Sequence, residues 1–372
     1  MAGHIQKRER DGKVSYRARI TGPDRRERSK TFRRKVDAQR WLTDQRAAID
    51  QGTWIDPAAG DVTLGEWADA WMAARQVRPS TRARDESYLR NHVRPRFGSV
   101  PLKAISQPDV VSFVGELNGK GLAPATVAKC VQLLGAMMEA AADAGKIRRS
   151  PVHKIPLPEI ERHEMRFLTH AEIGKLADSI DPRYRALVLL LAYGGLRIGE
   201  AAALRPEHRI ETRHEIDVVQ TVAWVKGHPL LGPPKTRAAR RRVALPQPVW
   251  DALTEHVAEH ATEWIFPAPD GGILQPANWR RRTYNPAVKA AGLDPLRPHD
   301  LRHTAVALWI EAGADVKRVA SRAGHTSVAF TLDRYGHLYP DADTALADRL
   351  GEAMEAARQA DNVVEIRPGR VE

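Results

Sequence analysis

The sequence predicts a mainly α, multidomain protein: a small N-terminal β-sheet plus helix module, an all-α domain, and a larger mainly α domain carrying a small antiparallel β-sheet. Three observations predict it. The 372 residues exceed one ordinary core, since domains run to about 100 to 200 residues. Apolar residues recur at helical spacing from Thr63 onward. The two-residue alternation of strands is confined to the N-terminus and to residues 214–245. The boundaries fall at 1–55, 62–148 and 160–360.

In the first module, Val14 to Ile20 and Ser29 to Arg33 alternate basic and β-favouring residues around turn signals at Asp11-Gly12 and Gly22-Pro23-Asp24, which reads as two or three short antiparallel strands. Val36 to Ile49 places Ala38, Trp41, Leu42 and Ile49 on roughly one face, a helix suited to cover that sheet. Gly52 to Asp61 reads as a linker. In the second domain Thr63 and Glu66 form a capping box ahead of Leu64, Trp67, Ala68 and Trp71. A helix from about Ser80 carries Tyr88, Leu89 and Val93, and ends before Phe97-Gly98. Ser106 and Pro108 start the next through Val110, Val114 and Leu117, with Gly119 and Gly121 as its stop. A fourth, Ala125 to Ala144, presents Val127, Val131, Leu134, Met138 and Ala141 to a core. Arg148 to Pro158 is basic and proline-rich, so regular structure is not expected there.

In the third domain Thr169 and Glu172 form another capping box, and Asp181-Pro182 opens a helix whose stretch Ala186 to Tyr193 is apolar all round, hence central. Gly194-Gly195 ends it, with Arg197 just past the break. Ile216 to Val219, Val222 to Val225 and Arg241 to Leu245 have strand character, and Lys235 lies in the Gly232 to Arg237 turn, read as a hairpin tip. Helical pattern resumes at Val249 and is broken at Trp264 to Gly272. The last helix, Asp343 to Arg358, carries Leu346, Leu350, Met354 and Ala357 at near-heptad spacing, a stripe that needs a partner from its own domain or from a neighbouring subunit.

Charge points to a polyanion. The net charge is +12, and residues 1 to 50 hold 15 Lys or Arg against 7 Asp or Glu, which is +8 of it. The single cysteine, Cys130, rules out an internal disulfide and a cysteine metal cluster, and a reducing cytosol is the expected home. The N-terminus has no apolar run of signal-peptide length, and Ala186 to Tyr193 is too short to span a bilayer.

The chemistry gathers in His299-Asp300-Leu301-Arg302-His303-Thr304, Gly324-His325 and Arg334-Tyr335-Gly336-His337. Attack on a phosphodiester needs a nucleophile, cations for the developing oxyanion charge and a proton for the leaving oxygen. Tyr335 can attack, although a free phenol of pKa about 10 is only about one-thousandth ionised at pH 7, so cations or a base must assist it. Arg197 and Arg302 offer planar two-donor forks for phosphate oxygens. His299 lies one helical turn before Arg302. Lys235 has the reach of a general acid, with Lys226 as the other lysine of that β region, and Tyr339 is a second phenol four residues past Tyr335.

On these motifs the chain resembles the tyrosine recombinases of the phage integrase family over nearly its whole length, in the order arm-binding, helical core-binding and catalytic domain. The resemblance implies that Arg197 and Arg302 clamp the scissile phosphate, with Glu200 supporting the first arginine. It implies Lys235 as general acid, His299 as general base or phosphate donor, His325 as phosphate ligand, and Tyr335 as the residue that forms the 3' phosphotyrosyl bond. Gly194 and Ala323 depart from the family's usual residues without removing a catalytic group. The resemblance further implies double-stranded DNA with core and arm-type sites as partner, a homotetramer acting through a Holliday junction, host bending and excision factors as accessories, the bacterial cytoplasm as location, and neither metal nor nucleotide cofactor. Two other readings of the same residues are a type IB topoisomerase and a catalytically silent DNA-binding architectural protein. The second DNA site suggested by the basic N-terminal module separates the first from an integrase.

Overall fold

The computed structural model describes residues 3–160, 165–339 and 342–361, with side chains of the last stretch described over 347–358. The chain divides into two compact units, Met1–Arg162 and His163–Glu372. No helix among the described residues is long and apolar enough to cross a membrane.

The first unit opens with a three-stranded antiparallel sheet, β1 (His4–Arg10), β2 (Lys13–Thr21) and β3 (Glu27–Phe32), in the order β1-β2-β3. Strand β1 makes up the third of the two or three strands expected, on the N-terminal side of the Asp11-Gly12 turn, where the sequence reading named no range for it. The pleat separates the residues of β2 by parity: Ala18 and Ile20 are buried against Ala38 and Leu42 of α1 (Lys35–Asp50), while Arg17 and Arg19 stand on the other face. The register sets Arg17 between Gln6 and Thr31, and Arg19 between His4 and Ser29, so the uncovered face is polar and basic throughout. The helical part follows as α2 (Leu64–Ala74), α3 (Pro79–Tyr88), α4 (Arg94–Phe97), α5 (Gln107–Gly119) and α6 (Pro124–Asp143). Both bonds of the Thr63–Glu66 capping box are present at α2, and Ser106 pairs with Asp109 in a second box at α5. Leu64, Val93, Phe97, Phe113, Leu134 and Met138 form the core, with Cys130 free and buried among them.

Between α3 and α4 the helix widens into one π-type turn, Leu89–Val93, directly ahead of Pro95. Proline supplies no N–H for the usual bond four residues back and its ring crowds that carbonyl, so the backbone takes up an extra residue there. The same pairing recurs in the second unit, where the π-turn Arg280–Tyr284 precedes Pro286.

The second unit runs α7 (His170–Ser179), α8 (Arg185–Gly194), α9 (Ile198–Ala201), β4 (Arg209–Ile210), β5 (Glu215–Val218), β6 (Thr221–Val225), β7 (His228–Gly232), β8 (Arg241–Ala244), α10 (Gln247–His260), α11 (Pro276–Trp279), α12 (Asn285–Ala290), α13 (Pro298–Glu311), α14 (Val316–Ala323), α15 (Val328–Tyr335) and α16 (Ala342–Asp361). Helix α8 is the apolar centre, with Leu187, Val188, Leu190 and Leu191 buried and α7, α10 and α13 against it. The β region differs from the sequence reading in two ways. It forms two sheets, β4-β5-β8 and the hairpin β6-β7. The tip of that hairpin is Lys226–Gly227, so Lys235 lies beyond β7, past Pro233-Pro234, rather than on a tip. Strand β7 escaped the reading because Pro229 argues against a strand. In a two-stranded ribbon both strands are edges, and Pro229 is tolerated opposite Trp224. On α16, Leu350 and Met354 are exposed, and the side chain of Leu346 lies outside the described residues.

Candidate active site

Helix α13 packs against α8 and carries the centre of the site. Arg302 is 3% exposed, and its guanidinium donates from Nη1 to the Gly195 carbonyl at 2.5 Å and from Nη2 to the Ala323 carbonyl. Those carbonyls belong to the C-terminal ends of α8 and α14, where backbone acceptors lack helical partners and the helix dipole is negative. Both ends turn on glycine in the left-handed region, Gly195 at φ +63° and Gly324 at φ +66°. A Cβ on Gly195 would come within 2.5 Å of the Trp309 ring, so backbone and space both demand glycine there; at Gly324 the left-handed backbone favours glycine and a Cβ would sit tightly, 3.1 Å from the Ala238 carbonyl. The two Gly motifs of the sequence are therefore the parts that seat Arg302.

Arg197 is the N-cap of α9. Its Nη1 donates to Glu200 Oε1 at 2.7 Å, and its backbone N–H donates to Glu200 Oε2 at 2.9 Å. Glu200 is 2% exposed and also accepts from Arg241 Nη2 at 3.0 Å. Although burial opposes it, Arg241 and Arg197 hold the Glu200 carboxyl below its ordinary range. Arg241 was not singled out in the sequence. It occupies the buried face of β8 and further donates from Nε to the Arg322 carbonyl at 2.7 Å and from Nη1 to the Ala239 carbonyl at 3.0 Å. Two guanidiniums, Arg197 and Arg241, thus meet the one carboxylate of Glu200, with Arg302 bonded to carbonyls close by, while Asp300 is engaged at the N-terminus of α13 by the Arg297 backbone N–H at 2.7 Å.

Tyr335, the last residue of α15, is 1% exposed. Its hydroxyl is 2.5 Å from His303 Nδ1, and its ring stacks on His325 with centroids 6.3 Å apart and planes 6° from parallel. His325 follows Gly324 and holds Thr331 Oγ1 through Nδ1 at 2.9 Å. His299 is exposed at the rim, edge-on to His303 at 4.8 Å. The residue the sequence reading missed here is His303. The signal was available, because positions 299 and 303 are four apart and share a helix face.

The electrostatics follow from the crowding of cations. Burial, with Arg197 and Arg241 nearby, brings the Arg302 guanidinium down to about 9, still protonated at neutral pH. Burial and the charges of Arg302, Arg197 and Arg241 push His325 down to about 4, and burial with His299 and Arg334 puts His303 at about 4. Partial desolvation at the rim, together with Arg302 and Arg197, lowers His299. Burial raises Tyr335, opposed by Arg302 and Arg334. The site is short of negative charge: neutral imidazoles and excess guanidiniums surround a phenol.

Lys235 is exposed, and its segment continues into the turn Arg237–Ala239 that packs on Gly324 beside His325. Tyr339 packs against the apolar cluster of Trp309, Val319 and Tyr335, and its hydroxyl is buried with no hydrogen-bond partner among the described residues.

Residues 166–341 match the phage integrase family, residues 63–118 the phage integrase N-terminal SAM-like domain, and residues 13–51 the phage integrase N-terminal domain. The chain is 30% identical over 361 residues to a putative prophage phiRv2 integrase of Mycobacterium tuberculosis, covering 91% of this chain and 93% of that one. The chain belongs to the phage integrase family. It carries the catalytic domain of a tyrosine recombinase behind an N-terminal integrase domain and a SAM-like core-binding domain, and is an integrase of the kind borne by phages and mobile elements. Its fold matches that of the Tn1549 transposon integrase bound to circular intermediate DNA, with TM-score 0.68 and 20% identity over 77% of this chain and 99% of that one. It also matches a lambda integrase dimer bound to a COC' core site, with TM-score 0.59 and 17% identity over 90% and 95%.

Proposed function

We propose that this integrase cuts and rejoins DNA strands at a specific attachment site through a 3' phosphotyrosine and a Holliday junction, integrating or excising a phage or other mobile element. The observation that carries the reading is the buried Tyr335 phenol set against two neutral imidazoles beside guanidiniums in excess over their carboxylate. Such a pocket is completed by a phosphodiester. Arg197 and Arg302 hold the nonbridging oxygens, with Glu200 fixing the first. His299 and His325 add hydrogen bonds to the phosphate, Tyr335 Oη attacks phosphorus, and Lys235 protonates the leaving 5' oxygen. The phosphotyrosine keeps the bond energy until a 5' hydroxyl of the partner duplex reclaims it.

Three domains divide the DNA between them in this reading: 1–55 on arm-type sites, 62–148 and 160–360 on the core. The uncovered basic face of the β1-β2-β3 sheet supports the first assignment. A homotetramer on DNA is supported by α16, whose exposed Leu350 and Met354 offer an apolar stripe to a neighbouring protomer. Host bending and excision factors set direction, and the reaction takes place in the bacterial cytoplasm.

The test is a nicked suicide duplex carrying the core sequence read from the genomic junctions that flank the gene. Wild type is expected to form a covalent complex and Tyr335→Phe none, while Tyr339→Phe retains it. Failure of the wild type on that duplex sinks the reading. Deletion of residues 1 to 55 should weaken arm-type binding and spare cleavage of the core duplex; loss of cleavage would mean the three-part division is wrong.

A further inference from the structure

We propose that His303, rather than His299, is the catalytic residue that takes the proton from Tyr335 in cleavage and returns it in rejoining. This rests on Tyr335 being the nucleophile. His303 touches the reacting atom: its Nδ1 lies 2.5 Å from Tyr335 Oη, both groups are buried, and no other hydrogen bond to that hydroxyl exists among the described residues. His299 stands edge-on to the His303 ring at the exposed rim. A neutral imidazole beside a phenol, the stronger acid of the two, accepts through Nδ1 and keeps its ring proton on Nε2.

The groups around His303 explain when it acts. His299, Asp300 and Arg302 come from its own helix, Arg334 and Tyr335 from α15, and His325 from the end of α14. Burial holds the phenol's pKa up and the imidazole's down, so full transfer ahead of attack is uphill and the resting phenol stays protonated. A phosphodiester on Arg302 neutralises part of the positive field that depresses His303 and makes the ring more basic when substrate is in place. The proton then passes from Oη to Nδ1 as the Oη–P bond forms, the P–O5' bond breaks, and the leaving 5' oxygen is protonated from the Lys235 side. Rejoining runs the same steps in reverse, the proton on Nδ1 going back to the departing phenolate.

The experiment measures covalent complex formation on the nicked core duplex from pH 6 to 9.5 for wild type, His303→Gln, His303→Ala and His299→Ala. Both His303 variants are expected to bind the duplex as wild type does and to cleave at least about 100-fold more slowly at pH 7, with a rate that climbs with pH as the phenol ionises unaided. Added imidazole should restore His303→Ala and leave His299→Ala unchanged. A His303→Gln rate within about threefold of wild type, or a deficit of the same size at every pH, would overturn the assignment, since glutamine keeps an acceptor but not a base. Should His303→Ala not fold, the nitrogen NMR shifts of His303 in the wild type decide, an unprotonated Nδ1 being expected and a protonated one fatal. If wild type forms no covalent complex, this inference falls together with the proposed function; if wild type does and the His303 variants match it, only this inference falls.

Discussion

The protein uses arginine in two opposite ways. In the N-terminal module Arg8, Arg10, Arg25, Arg26 and Arg33 stand exposed on or beside a small sheet, each cation solvated and screened. In the catalytic unit Arg241 and Arg302 are buried, both bonded to helix-end carbonyls and Arg241 also to the Glu200 carboxylate. Exposed charge costs little to keep and is worth little per residue, so it acts as a sum. Buried charge costs desolvation, and what that cost secures is a fixed geometry and a field that only an anion relieves. The two regions should therefore fail differently when single arginines are removed.

The largest effect is expected at the proposed phosphate clamp. Arg197→Ala should leave binding of the core duplex near wild type and slow covalent complex formation by about 100-fold to 1,000-fold, the usual loss for one oxyanion donor. Arg302→Ala should do at least the same, because the substitution also frees two helix ends. Binding lost in proportion to cleavage would refute the clamp. Next comes Arg241→Ala, which strips Glu200 of one of its two guanidiniums in a buried site. A drop of about 3 kcal/mol in the unfolding free energy of the second unit is expected, read by denaturant titration. A change below about 1 kcal/mol would mean that Arg241 is only a spectator of the Arg197–Glu200 pair.

Acid offers a third discrimination. His303 is held near 4 in the folded chain against an ordinary value near 6.5. A group depressed on folding contributes stability that is present above the unfolded value and lost as pH falls towards the folded one. The second unit should therefore lose on the order of 2 kcal/mol between about pH 6.5 and pH 4 from His303, with His325 adding to it less fully because it is half-buried. His303→Gln should flatten that part of the profile. An unchanged slope would show that His303 is not held neutral by its surroundings.

What could be read from the sequence divides along the same line. The capping boxes at Thr63 and Thr169 depend on chemistry three residues apart, and the all-apolar run of α8 depends on nothing but itself, so both were legible. The seat of Arg302 was half legible: Gly195 and Gly324 announce helix ends, but that the ends converge on one guanidinium is a matter of long-range packing. Arg241 was hidden because it sits in the run Arg240-Arg241-Arg242, which reads as a solvated basic strand. Only the pleat, with Arg241 inward and Arg242 outward, and a carboxylate 41 residues away distinguish it. His303 was overlooked because Arg302 beside it drew the chemistry, and its partner lies 32 residues downstream on a different helix.

The smallest expected effect belongs to a single arginine of the sheet, and its smallness is the sharpest check on the comparison. Arg17 is partly buried in its register, donating to Ser29 Oγ at 2.8 Å from the uncovered face of β2. Arg17→Ala removes a surface hydrogen bond and leaves Ala18 and Ile20 packed on α1, so folding should change by less than about 1 kcal/mol. If that face follows a phosphate backbone, the variant should bind arm-type DNA more weakly and lower the slope of log affinity against log salt by about 0.9, one counterion fewer released per contact. Cleavage of the core duplex should not move. A slope identical to wild type would remove Arg17 from the phosphate contacts, and a changed cleavage rate would mean that the exposed arginines and the buried ones are not the separate devices their surroundings make them.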